Sequence, residues 1–422
     1  MSRIRNIADV ADWGLCTGCG ACASLCERHA VDLVNVAPIG IRPRVAHEAC
    51  EGCGRCLSYC PGYRIESRTG CTAGESGDYG ESVVGPSRGI WEGHASDPEI
   101  RHRGSSGGVL TALASYCLER EGMDAVIHTG MAPDAPWANV TVESRNREEL
   151  LSRAGSRYSP SSPCDAIRRI EESDRRCVFI GRPCDAAAID AARADRPRLD
   201  RNLGAVLTFF CAGPPSSEAT KRLLRDRGVD PESVAWLRYR GEGWPGRFTA
   251  ADREGNLRLS LTYEETWGFL AQQHRSFRCH LCPDGLGEIS DVASGDAWHR
   301  KGEAGNPGES IVVARSERGE RLVRKAAADG YLELAPSDPG NVVAAQELVR
   351  RRVEVYGRLL GMRILGVPVP IFEGFGLRRA WLRFADGWTR FRTVAGTMRR
   401  ILLRGLWHRN PPIPSNVGGG GP

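Results

Sequence analysis

Half of the sixteen cysteines in this chain of 422 residues lie before residue 61, and their spacing is its clearest chemical signal. Cys16, Cys19, Cys22 and Cys26 read C-x2-C-x2-C-x3-C. Cys50, Cys53, Cys56 and Cys60 repeat that pattern, each 34 residues after its counterpart. Three thiolates at such intervals wrap a loop around one face of an iron–sulfur cubane. The small glycines between them admit backbone N–H groups towards the sulfurs, contacts that help to set a reduction potential. Zinc also accepts C-x2-C pairs. It does not account for a third cysteine in phase and a fourth three residues later, twice over. The expected cofactors are two [4Fe–4S] clusters, which make a wire for single electrons rather than a catalyst.

The arrangement resembles the bacterial two-cluster ferredoxin, in which the fourth cysteine of each run ligates the other cluster. By that rule one cluster takes Cys16, Cys19, Cys22 and Cys60, and the other takes Cys50, Cys53, Cys56 and Cys26. Residues 30–36 and 41–45 alternate like a short hairpin between the two runs. A ferredoxin-type domain is therefore expected over 1–65. A Gly/Ser-rich linker follows over 66–89, in which Cys71 reads as a spare thiol.

Composition bounds the rest. With 41% hydrophobic and 26% charged residues the chain falls in the globular class. The net charge of +5 is mild and nearly all arginine, with lysine only at 221, 301 and 325. Codon usage explains that bias better than a nucleic-acid site does, and no nucleic-acid partner is expected. No run approaches the roughly 20 apolar residues of a membrane span, and the first ten residues lack the apolar core of a signal peptide. A cytoplasmic location is expected, where thiols stay reduced and serve metals rather than disulfides.

Beyond residue 90 the signals are of another kind. Ser105-Ser106-Gly107-Gly108 leads into an apolar-periodic helix over 109–118. A glycine/serine loop on a helix N-terminus is either an anion site or simply a cap. Residues 124–128 and 178–180 read as buried strands, and Gly181-Arg182-Pro183-Cys184 stands at the carboxyl end of the second, where open α/β sheets bind ligands. Gly155-Ser156-Arg157-Tyr158, Tyr239 to Gly246, Arg278-Cys279-His280-Leu281-Cys282 and Gly295-Asp296 follow in order. No serine-hydrolase, zinc-hydrolase or Walker pattern is present, and no catalytic acid or base stands out.

That series resembles the beta-subunit family of coenzyme F420-reducing hydrogenases and F420-dependent formate dehydrogenases, which includes 7-hydroxymethyl chlorophyll a reductase. The likeness covers roughly residues 10–300. It implies a mixed α+β or α/β flavin-binding domain over 90–345, bound FAD, and hydride exchange with coenzyme F420 or another organic acceptor. Flavin is the usual converter between hydrides and single electrons. On this reading Ser105, Ser106, Gly107, Gly108 and Thr111 hold the FAD pyrophosphate side, while Ser156, Tyr158, Gly181, Pro183 and Cys184 line the remainder. The expected partners are a small-molecule acceptor and a redox protein, either a ferredoxin or a hydrogenase or dehydrogenase subunit. The family pattern leads one to expect Gly-Thr-Pro-Cys where Arg182 stands, a departure that bears on substrate choice.

Among the eight cysteines outside the ferredoxin set, Cys184, Cys211, Cys279 and Cys282 are candidates for a further metal site. Cys279 and Cys282 are the strongest pair for a third [4Fe–4S] cluster, the alternative being a loop beside the flavin. Two rival functions stay open: an electron-transfer subunit without flavin, and a ferredoxin-fed reductase of a small organic substrate. A basic helical tail is expected over 346–410. Within 376–409 it interleaves nine arginines with Trp381, Phe391 and Trp407, a pattern that suits an anionic membrane surface, a partner subunit or a helical hairpin packed on its own domain. Residues 411–422, ending in four glycines and a proline, are expected to be disordered.

Overall fold

The computed structural model describes residues 4–37, 39–67, 78–273, 275–303 and 305–409. Cys71, residues 68–77 of the expected linker and the 411–422 terminus lie outside them.

The two cysteine runs fold alike because they carry glycine at the same places. Gly18 and Gly52 have φ of +71° and +68°, and Gly20 and Gly54 have +97° and +75°. These are left-handed positions that a side chain would strain. Each run then turns into a one-turn helix, Ala21–Ser24 and Arg55–Ser58. Between them β1 (Val31–Val36) and β2 (Gly40–Val45) pair antiparallel, Val31 opposite Val45. This is the hairpin that the alternation predicts.

After the module comes β3 (Arg64–Glu66). Part of the segment read as linker is instead helix Tyr79–Val84, capped by Asp78, with Val83 and Val84 buried. The body is built on eight strands: β4 (Gly89–Ala95), β5 (Ala125–Ala132), β6 (Ala135–Ser144), β7 (Cys177–Gly181), β8 (Leu203–Phe209) and three later ones. Strands β9 (Trp236–Arg238), β10 (Arg247–Ala251) and β11 (Leu257–Thr262) form a separate antiparallel sheet. Then β12 (Val292–Asp296), β13 (Ser310–Ala314) and β14 (Leu332–Pro336) complete the large sheet, in the order β14-β4-β13-β12-β8-β7-β5-β6. Four adjacent strands, β12, β8, β7 and β5, run parallel, with three antiparallel-paired strands on one side and β6 on the other. The fold is thus mixed α/β with a ferredoxin-type module at its N-terminus.

Helices cover both faces, as a buried parallel sheet requires. On one face Val109–Glu119 and Glu317–Ala328 pack through Leu113, Tyr116, Leu322 and Val323. On the other, Pro183–Arg193 contributes Ala186 and Ile189 to a core that also takes Cys19, Ala21 and Leu25. The cysteine module is therefore seated directly on the sheet's helical layer.

The 346–410 segment is helical and turns back onto that module. Its strand β15 (Ile371–Glu373) pairs parallel with β3. Val355, Leu359, Met362 and Ile401 share one core with Ile7, Val10 and Leu15.

Candidate functional site

The first run of cysteines is enclosed. Cys16, Cys19, Cys22 and Cys60, together with Cys56, line one small cavity with Gly18 and Gly20. Cys60 thus comes from the second run to join the first. Burial, followed by repulsion from Cys19, Cys16, Cys60 and Cys56, pushes the Cys22 thiol well above its ordinary pKa. Thiols crowded in this way favour a cation that would take their charge. The Gly18 N–H donates to Cys16 Sγ at 3.3 Å, the kind of amide–sulfur contact a cluster uses. At Gly20 an added Cβ would meet the Asp165 nitrogen at 2.8 Å and the Ser162 oxygen at 2.9 Å, so this loop is pressed onto the α/β body.

The second run is more open. Cys50 and Cys53 are exposed and Cys56 is half-buried. Burial raises the Cys56 thiol pKa, with repulsion from Cys53 and Cys50 adding to it. Cys26 accepts the Ala30 N–H at 3.4 Å. Among the described residues no three His, Cys, Asp or Glu side chains converge on a point suited to one metal ion. A cubane is larger than an ion and holds its thiolates further apart.

A second constellation lies along the carboxyl edge of the parallel strands. Arg182 directly follows β7, Cys211 lies two residues beyond β8, and Asp296 ends β12. These strands are neighbours, so the three positions stand at successive steps of about 4.8 Å along one edge. Cys184, Cys211, Cys279 and Cys282 gather at its β7–β8 end. Burial raises Cys211 to about 12, with repulsion from Cys279 and Cys282 adding to the effect. Burial also lifts Cys184, which in addition feels Cys211 and Cys282. A Cβ on Gly213 would meet Cys279 Sγ at 3.1 Å, and the Gly213 N–H donates to Cys211 Sγ at 3.4 Å. The chain therefore brings Cys184 and Cys211 together with Cys279 and Cys282.

At the β12 end stands a buried ion pair. Arg240 Nη2 donates to Asp296 Oδ1 at 2.7 Å and Nη1 donates to Oδ2 at 3.0 Å. Burial works against the guanidinium charge, but Asp296 prevails and holds its pKa above the ordinary value. Arg240 also donates to the Ser105 carbonyl, to the Pro245 carbonyl and weakly to Tyr158. Tyr263 and Trp298 lie over its guanidinium, 4.8 and 5.1 Å from ring centre to carbon, and stack on each other at 4.9 Å. Trp244 stacks on Trp298 from the other side and donates its indole N–H to Asp296.

The sequence-derived flavin residues divide between these two ends. Ser105, Ser156 and Tyr158 join the Arg240 group, where the Ser156 N–H donates to Ser105 Oγ at 2.6 Å. Gly181, Pro183 and Cys184 belong with the four thiols. Among the described residues no hydrogen bond or ion pair links them to Ser105, Ser156 or Tyr158. Ser106 donates to the Glu309 carbonyl, and the Gly107 N–H donates to Ser310 Oγ at 2.9 Å. Gly107 is small because it packs on the sheet, where a Cβ would meet the Gly93 oxygen at 2.6 Å. Gly108, at φ +75°, caps the helix that carries Thr111.

Residue-type reasoning missed two residues, Cys164 and Tyr263, and one pairing, Arg240 with Asp296. Cys164 is fully buried; a hydrogen bond from it lowers the Cys19 pKa, and it lies 3.4 Å from the Asp185 carbonyl. Being solitary, it carried no spacing signal. Tyr263 stands in no motif of the sequence and carried no signal. Arg240 and Asp296 stood in singled-out segments, but a separation of 56 residues hid their pairing.

This fold and these sites define an iron–sulfur protein in which a ferredoxin-type module is fused to an α/β body with a polar, aromatic site at its strand ends. Residues 15–63 match the 4Fe-4S dicluster domain. Residues 90–168 and 174–340 match the N-terminal and C-terminal parts of the coenzyme F420 hydrogenase/dehydrogenase beta subunit. The chain belongs to that family. It is 26% identical over 287 residues to the coenzyme F420 hydrogenase subunit beta of Methanococcus voltae, covering 65% of this chain and 95% of that protein. It is 27% identical to the F420-dependent formate dehydrogenase 1 subunit beta of Methanococcus maripaludis, covering 60% and 63% respectively. A chain of the F420-reducing [NiFe] hydrogenase complex from Methanosarcina barkeri shares the fold, with a TM-score of 0.51 at 23% identity over 66% of this chain and 94% of that one.

Proposed function

We propose that this chain is an iron–sulfur flavoprotein that passes electrons between [4Fe–4S] clusters and FAD and exchanges hydride with coenzyme F420 or a related organic acceptor. The carrying observation is the continuous strand-end edge. The four thiols Cys184, Cys211, Cys279 and Cys282 stand beside the Arg240–Asp296 group, while Arg182 and Cys164 lead back to the first cysteine run. Relatives named for F420-dependent hydrogenase and formate dehydrogenase supply the substrate class.

In this reading Cys16, Cys19, Cys22 and Cys60 hold one cluster, Cys50, Cys53, Cys56 and Cys26 a second, and the strand-end thiols a third. The shared cavity that includes Cys60 supports the crossed ligation. FAD, when bound, supplies the conversion between a hydride and single electrons. The chain's own residues orient it. Arg240 offers a desolvated positive charge held by Asp296, Ser105 and Ser156 stand beside it, and the stack of Tyr263, Trp298 and Trp244 makes an aromatic wall. Binding at Ser105 rather than at the Gly107 amide fits the geometry, because that amide is already bonded. Its commitment to Ser310 also favours a second reading, an electron-transfer subunit without flavin. The partner is a redox protein or subunit, and the cytoplasm is the setting in which such thiols persist.

Anaerobic purification followed by flavin extraction separates the two readings. Release of about one FAD per chain and reduction of added F420 support the flavoprotein. Iron without flavin, in protein that reconstitution with FAD does not change, supports the carrier.

A further inference from the structure

Helix Gly387–Leu403 is inside out. The residues it buries are small or modest: Thr393, Thr397 and Ile401. Thr393 and Thr397 lie against Gly357 and Gly361 of helix Arg350–Ile364, where a Cβ on Gly357 would meet Thr393 Oγ1 at 2.2 Å and one on Gly361 would meet the Val394 oxygen at 2.7 Å. Two glycines four residues apart, facing two threonines four apart, let the helices approach closely. The large apolar residues of the same helix point the other way. Trp388 is 67% exposed, Phe391 62% and Leu403 69%, and Leu402 is exposed beside them. At 100° per residue these positions fall on the side opposite Thr393 and Thr397, together with Arg392 and Arg399.

The preceding helix, Leu377–Phe384, extends the surface. It borders a groove of about 1040 Å³ with an apolar floor that includes Val369, Phe372 and Leu377. Arg363, Arg378, Arg379 and Arg383 stand around it. Glu373, also on the groove, is paired with Arg64. Across 377–409 nine arginines face one acid, Asp386. Arg378, Arg379, Arg399 and Arg404 have no ion-pair partner among the described residues. Among those residues no helix is long and apolar enough to cross a membrane.

We infer that this hairpin docks the protein on an anionic phospholipid surface, with Trp388, Phe391, Leu402 and Leu403 entering the acyl boundary and the arginines meeting lipid phosphates. Two features select lipid over a protein partner. The charge of 377–409 is of one sign apart from Asp386, and the arginines lie beside exposed aromatic and leucine residues, the composition of a helix that lies in an anionic membrane interface. Long cationic side chains can lie along apolar neighbours and still reach a phosphate layer. The groove adds a place for one chain of a lipid under a rim of guanidinium groups. The inference rests on the hairpin alone and is independent of the flavin assignment.

The test is sedimentation of the anaerobically purified full chain with phosphatidylcholine vesicles, with and without phosphatidylglycerol. Binding is expected only with phosphatidylglycerol, weakening at least tenfold between low and high salt. Two variants are compared: Trp388→Ser/Phe391→Ser/Leu403→Ser, and Arg378→Glu/Arg379→Glu/Arg383→Glu. Each should lose at least tenfold in binding while its iron content and elution volume stay those of the parent. All the substituted side chains are exposed, and the cysteine sets lie elsewhere. Failure to bind anionic vesicles at low salt overturns the proposal, as does equal binding by parent and both variants. Concentration-dependent dimerisation abolished by the triple serine variant, without vesicle binding, would assign the surface to a second copy of the chain instead.

Discussion

Arg182 and Asp185 form a buried bidentate ion pair, with Nε and Nη2 donating to the two carboxylate oxygens at 2.8 and 2.7 Å. The guanidinium also reaches the Ser161 carbonyl at 2.8 Å and the Thr17 carbonyl, inside the first cysteine run, at 3.4 Å. Burial opposes its charge, but Asp185 and the Cys184 and Cys211 thiols hold its pKa well above the ordinary value. Cys16 and Cys19 feel it from the other side. One cation thus stands between the two enclosed cysteine sets, at the position where the family resemblance led us to expect threonine.

The first prediction follows from that placement. Arg182→Met leaves the Asp185 carboxylate buried and unpaired, a loss of about 3–5 kcal/mol, seen as a lower urea midpoint. Arg182→Met/Asp185→Leu should recover most of it. In the double variant, EPR-monitored redox titration should show the iron–sulfur signals of both enclosed sets shifted in the same direction. A single variant as stable as the parent would remove the pair from the account of what locks the module to the sheet.

Iron content tests the ligand sets. The N-terminal module should hold about eight irons and the strand-end thiols about four more. Cys16→Ser and Cys60→Ser should damage the same EPR signal although they lie in different runs. Cys211→Ser should remove a different signal and leave the N-terminal pair. Loss of separate signals from Cys16→Ser and Cys60→Ser would show that the crossing is wrong.

Much of this was legible because local chemistry demanded it. Only glycine takes the backbone at 18, 20, 52 and 54 without strain, so the spacing of the cysteine runs and their loop shape arrive together. The alternation over 30–36 and 41–45 became a hairpin, and the apolar run at 178–180 became part of a parallel strand with Gly181–Cys184 at its carboxyl end. What stayed hidden was long-range pairing. Asp296 and Cys211 stand at the carboxyl ends of parallel strands, and their partners Arg240 and Cys279 reach them from segments that follow β9 and β11. The Ser105–Gly108 loop shows the opposite limit. Its composition suits a phosphate, yet the Gly107 amide is taken by Ser310, a partner 203 residues away.

His128 gives a pH prediction. Burial, reinforced by Arg153, lowers its pKa to about 4, and its Nε2 lies 2.8 Å from Ser144 Oγ. Its folded pKa lies below the unfolded value of about 6.5, so the unfolded chain binds the extra proton between these limits. The resulting stability is complete above about pH 6.5 and is lost as pH falls through 4, by about 3 kcal/mol. Urea unfolding at pH 7.5, 5.5 and 4.5 should therefore show a steeper acid loss in the parent than in His128→Gln. Parallel curves would mean that the imidazole is not held neutral.

The flavin site needs a variant that does not confuse binding with folding. Gly107→Val is unsuitable, since its side chain would press on the Gly93 oxygen and the Ser310 nitrogen and disturb β4 and β13 whatever ligand is present. Trp298 and Ser105 are better, because both are only partly buried and neither belongs to a core cluster. Trp298→Leu removes a flat face from the stack with Tyr263 and Trp244. Ser105→Ala removes the oxygen that accepts the Ser156 N–H while leaving the carbonyl to which Arg240 donates. If FAD lies along this strand-end edge, each variant should weaken flavin retention at least tenfold while iron content and unfolding midpoint stay close to the parent's. The double variant should lose the yellow absorbance and keep the N-terminal EPR signals. A folded double variant that retains a full complement of FAD would move the flavin away from Arg240 and Asp296, leaving that ion pair a structural brace at the end of β12.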